Sequence, residues 1–164
     1  MMESGAASDY PRSLLRHALA TLAYRGGKAI RGAQPEFADF QAGKVRTPGQ
    51  ILAHIGDLLD WSVTMAEGRE AWHDSTPLPW EEEGKRFHAA LERLDACLAS
   101  GKPLQVTAQR LVQGPVADAF SHVGQLAMLR RMASDAIRSE NYSVAEIAVG
   151  RVGAEQATPK KEFE

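Results

Sequence analysis

Two histidines and an aspartate have the types and spacing to do chemistry: His54, Asp118 and His122. Asp118 and His122 lie in PVADAFSHVGQLAMLRRMA, Pro115 to Ala133, a stretch without internal proline that reads as a helix. At about 100° per residue, Asp118, His122 and Gln125 share one face, followed by Leu129 and flanked by Ala117, Ala119, Leu126 and Met128. A carboxylate, an imidazole and an amide among apolar neighbours predict a buried polar stripe rather than a solvated face. Asp118 and His122 are one turn apart, so both can reach one metal ion. His54 belongs to another helical stretch, amid Ile51, Ile55, Leu58, Trp61 and Met65, in the middle of its core-facing stripe. Two imidazole nitrogens and a carboxylate oxygen make a facial triad suited to Zn²⁺, Ni²⁺, Fe²⁺ or Mn²⁺, with the remaining positions open to water or substrate. Three protein ligands are the pattern of a catalytic site, where a water is acidified or a substrate thiol is held as thiolate. Gln125 and Asp57 are candidate partners behind the ligands. The plainer alternatives are that Asp118 and His122 pair only with each other, or that Asp118 caps its own helix.

Four helices must position these residues. Tyr10 to about Arg31 carries the apolar stripe Leu15, Leu19, Leu22 and Ile30, with Gly26-Gly27 as a weak point costing about 1 kcal/mol per glycine. Gly32 to Arg46 reads as loop. The second helix starts on a capping box, Thr47 with Gln50 three residues on and Pro48 at the first helical position, and runs to about Glu67. Gly68 to Pro79 is a broken connection. Trp80 to Ser100 follows, with Glu81, Glu82 and Glu83 at the positive end of its dipole and Phe87, Leu91, Leu94 and Leu98 facing the core. A short helical piece is expected around Val106 to Val112. Gly114-Pro115 opens the helix of Asp118 and His122. Ser139 to Glu164 is an irregular tail with a short helix expected at Val144 to Val149. The expectation is an all-α four-helix bundle with short extra helices, one domain over 1–164, loose at 1–9 and from about 154 onward.

Composition excludes several classes. Lys plus Arg is 19 and Asp plus Glu is 21, a net charge of −2 that offers no general attraction for nucleic acid or an anionic membrane. One cysteine, Cys97, excludes an internal disulfide and fits a reducing compartment. MMESGAASDY lacks the pattern of a signal peptide, and no apolar run is long enough to span a bilayer, so a cytoplasmic protein is expected. There is no phosphate-binding loop, dinucleotide fingerprint or nucleophile elbow, and the substrate is not readable. Glu70-x-x-His73 has di-iron spacing, but no second such pair exists. His17, His73 and His88 read as surface or edge residues, and Cys97 as a core-edge side chain. Trp61, Trp72 and Trp80 read as core and pocket wall. Arg130-Arg131 reads as a pair on its own helix's C-terminal dipole. Val116, Phe120, Val123 and Ala127, with Leu52, Leu59 and Val63, give both site-bearing helices a second apolar side, from which a homodimer is expected.

HVGQLAMLRR, with ILAHIGDLLDW upstream, resembles the DinB/YfiT-like family of bacterial helical bundles. The family motif is similar to H-x-x-x-H-R-G-Q-L on the last bundle helix plus one histidine on the second. His122, Gly124, Gln125 and Leu126 match its second half and His54 matches the helix-two histidine, whereas Asp118 stands in place of the first motif histidine and Val123 in place of the arginine. The resemblance covers roughly Tyr10 to Arg138. It implies a divalent-metal site, dimers, and either hydrolysis or transfer involving a low-molecular-weight thiol. The alternative is a non-catalytic dimeric bundle with a lapsed metal site, acting as a ligand-binding or interaction protein.

Overall fold

The computed structural model describes residues 9–163. It is all-α, built on four long helices: α1 (Tyr10–Ile30), α2 (Pro48–Ala66), α3 (Trp80–Ala99) and α5 (Ala117–Met132), with a short α4 (Ala108–Leu111) before the last. α2 packs on α3 and α5, and α1 packs on the same two, so α1 and α2 lie diagonally opposite. One apolar cluster runs through all four, with Leu19, Leu52, Ile55, Phe87, Leu91 and Leu126 fully buried.

Local chemistry sets the helix ends. Asp9 accepts from the Arg12 amide and caps α1. Thr47 and Gln50 form the reciprocal capping box at α2, at 3.3 and 2.9 Å. Gly101, at φ +71°, ends α3. The start of α5 is less regular than Gly114-Pro115 suggests. A wide π turn, Val112–Val116, joins α4 to α5, and Gly114 within it leaves helical geometry at φ −95°, ψ −105°.

Gly26 has a packing role in α1. A Cβ there would stand 2.5 Å from the Phe87 ring, so the missing side chain lets this fully buried ring of α3 lie on the α1 backbone. Arg130 differs from expectation. It is buried, and its guanidinium donates to the carbonyls of Ala29 and Arg31 at 3.0 Å and pairs with Asp135. It therefore satisfies the C-terminal carbonyls of α1 rather than its own helix.

The C-terminal segment is irregular but tied down. No α-helix forms at 144–149; a 3₁₀ turn at Tyr142–Val144 precedes bends and turns. Ser139–Glu140 pairs antiparallel with Glu162–Phe163, and Lys28 of α1 binds Glu140 and Glu162 at 2.7 and 2.8 Å. The expected loose end from about 154 is thus strapped across α1. His88 is buried rather than at the surface, with Nδ1 3.2 Å from the Val152 carbonyl of this strap. Of residues 1–9, expected to be loose, Asp9 caps α1 and the other eight lie outside the described ones. No described helix is long and apolar enough to cross a membrane.

Of the apolar faces from which a homodimer is expected, Leu52, Leu59, Val116 and Val123 are buried within the chain, while Val63, Phe120 and Ala127 are half-buried. The exposed apolar side chains of α5 are instead Met128 and Met132.

Candidate metal centre

α2 and α5 cross so that His54, Asp118 and His122 meet. One ligand atom from each lies within 4.8 Å of the others. His54 Nε2 is 3.6 Å from Asp118 Oδ2, and His122 Nε2 is 3.8 Å from Asp118 Oδ1. For ligands about 2.1 Å from a common ion, neighbouring donors stand about 3.4 Å apart in a tetrahedron and about 3.0 Å apart at cis positions of an octahedron. The two edges to Asp118 run to different carboxylate oxygens and exceed these values by about 0.2 to 0.8 Å, and the group as a whole spans up to 4.8 Å, so binding requires the side chains to close in on the ion. Three ligand directions come from two rigid helices, so little chain entropy is lost on closing the site.

The site is an open edge rather than the expected buried stripe. The Asp118 side chain is 48% exposed, while His54 and His122 are 18% and 14% exposed. His54 sits at the rim of the α2 core stripe; Ile51, Ile55 and Leu58 behind it are buried. This openness keeps the carboxylate affordable without a metal, since water reaches it.

Gln125 occupies the position expected of a supporting residue. Its Oε1 lies 3.0 Å from His122 Nδ1 and, being an acceptor, holds the proton there. The Nε2 lone pair of His122 is then turned toward Asp118 and His54, the tautomer a metal ligand needs. Asp57 does not play this part. It is buried, accepts from the Ser75 amide and hydroxyl at 2.9 and 2.6 Å, and pairs with Arg86. Burial alone would raise its carboxyl, but the bonds from Ser75 and the Arg86 guanidinium outweigh that and hold it below the usual carboxylate range. Its work is to pin the α2–α3 connection, whose Trp72 ring packs edge-on against His54 at 5.5 Å and against Trp61 at 5.7 Å. Trp61 and Trp72 are therefore site wall, whereas Trp80 is core, against Phe37.

Two residues near the site escaped the sequence reading. Arg86 reaches Asp57 past Gly56, where a Cβ would stand 2.9 Å from its guanidinium. Arg46 immediately precedes the Thr47 cap and borders both the hollow at His54 and a groove at His122. Its position one residue before a helix start, two turns from His54, was a legible signal.

His54 is pushed below the ordinary histidine range, first by burial, then by the His122 ring and the Arg46 charge, with Asp118 opposing. His88 is lowered as well, chiefly by burial. Both rings take up protons less readily in the native than in the unfolded chain. Below about pH 6.5 the unfolded chain binds more protons, so stability falls as pH drops through that value toward the folded ones. Metal-free protein is expected to melt lower at about pH 5.5 than at about pH 7.5. Equal melting temperatures at the two values would contradict neutral His54 and His88.

Compared with family models, with curated proteins and with solved structures, the chain matches none.

Proposed function

We propose that the chain is a divalent-metal-dependent enzyme of the DinB-like four-helix-bundle kind, a hydrolase or a low-molecular-weight-thiol-dependent transferase. The observation that carries this is the convergence of His54, Asp118 and His122 from two helices onto one point. Zinc, nickel, iron or manganese bound there supplies Lewis acidity to a water or a thiol. The chain's own groups do the positioning. Gln125 sets the His122 tautomer, Trp72 holds the His54 ring and shields one side, and the groove beside His122 leaves room for substrate.

A second reading, a lapsed site in a non-catalytic homodimer, draws on the half-exposed Asp118 and on the exposed Met128 and Met132. Thermal melts separate the two. With free zinc or nickel at about 100 times Kd, binding adds about 2.7 kcal/mol to the native state. In a chain of this size that is a rise on the order of 5–10 °C. His54→Ala should abolish the rise while leaving the metal-free melting temperature close to that of the parent. No rise in the parent, or an equal rise in His54→Ala, would exclude the metal reading.

A further inference from the structure

Beside His122 an open groove of about 720 Å³ runs along α5. That volume lies in the range of small-molecule sites, about 300–1,000 Å³. Its walls are mostly apolar. Val45, Met128 and Met132 line it while 56%, 59% and 56% exposed, with Ile51 and Leu129 buried beneath. Three large apolar side chains held in water around one concavity form a surface that gains from being covered. The two methionines are unbranched and adapt to the shape of what covers them.

One cation stands at the triad end of this groove. Arg46 borders both the groove and the hollow of about 220 Å³ at His54. Arg12, Arg16, Arg86, Arg93 and Arg130 each hold a carboxylate of this chain. Arg46 is exposed and, like Arg25, Arg31, Arg110 and Arg131, has no carboxylate partner among the described residues, but it alone of these lines the groove. A single forked guanidinium matches one planar carboxylate through two parallel hydrogen bonds.

We propose that the groove receives the apolar body of a small carboxylic acid whose carboxylate pairs with Arg46. This deepens the metal reading by naming the substrate class of the same site. With its carboxylate on Arg46, the acid lies along a groove whose wall includes His122.

Octanoate and octanamide have the same shape and differ in charge, so together they isolate Arg46. Calorimetric titration of the metal-free full chain is expected to show octanoate binding at least about tenfold tighter than octanamide. Arg46→Gln should erase that preference while leaving octanamide affinity unchanged, which a merely structural arginine would not do. Met132→Asp should weaken both ligands. Equal affinity of the two ligands for the parent chain overturns the proposal, as does a preference that survives Arg46→Gln. A dimer by sedimentation that Met132→Asp dissociates, with neither ligand bound, overturns it in favour of a second copy of the chain as occupant. The titration uses no metal, so a chain that binds none can still discriminate, and a chain that loads metal but does not discriminate loses only this inference.

Discussion

Asp57→Ala is expected to destabilise the protein by about 3 kcal/mol or more, the cost of leaving a partly buried charge without its partner. Asp57 takes four interactions at once: two from Ser75, one from Arg86, and His73 Nε2 at 3.3 Å. Removing it leaves Arg86 between α2 and α3 with only Asp60, the more distant Glu83 and the Ala53 carbonyl. Against a total stability on the order of 5–15 kcal/mol this is a large fraction, and the melting temperature should drop by roughly 6–12 °C. The effect reaches the candidate site, because Ser75 anchors the connection that carries Trp72 against His54. If unpaired charge is the cause, Asp57→Ala combined with Arg86→Met should melt higher than Asp57→Ala alone. Thermal melts of both variants beside the parent check this, and a double variant no more stable than the single one would contradict it.

His122→Ala is expected to abolish metal binding, and Gln125→Leu to weaken it by about 10- to 100-fold without abolishing it. The grading follows from the geometry. His122 offers a donor atom directly, and no other histidine, cysteine or acidic side chain completes a three-residue group around His54 and Asp118 among the described residues. Gln125 acts one bond further out, through the proton on His122 Nδ1. In Gln125→Leu both tautomers and the ring's rotation become free, and that freedom is lost again on binding. Isothermal titration with zinc or nickel reads both variants. Gln125→Leu with the parent's affinity would show that the hydrogen bond has no part in a metal site.

The same patterns explain what could and could not be read from the chain. The Thr47–Gln50 box and the Phe87–Leu98 stripe were legible because both are local: a cap spans three residues and a stripe repeats within one helix. The meeting of His54 with His122 was legible only as a possibility, from polar side chains placed on the core-facing stripes of two helices, since nothing within α2 says which face α5 covers. Exposure was misjudged for that reason. A helical wheel ranks Asp118 by neighbours on its own helix, but whether water reaches it depends on what other elements cover that face, and its side chain is 48% exposed. The strap was illegible because its anchors, Lys28 with Glu140 and Glu162, are single charges far apart in sequence. Gly26 looked costly for the same reason: its use lies in Phe87, on another helix.

Equilibrium dialysis of the full chain against zinc, nickel, iron or manganese, with elemental analysis of the retained protein, tests the central claim most directly. One equivalent of at least one of these metals should be retained by the parent and lost in His54→Ala, Asp118→Ala and His122→Ala alike. No retained metal in the parent, or an equivalent that survives all three substitutions, would contradict a metal centre built by α2 and α5.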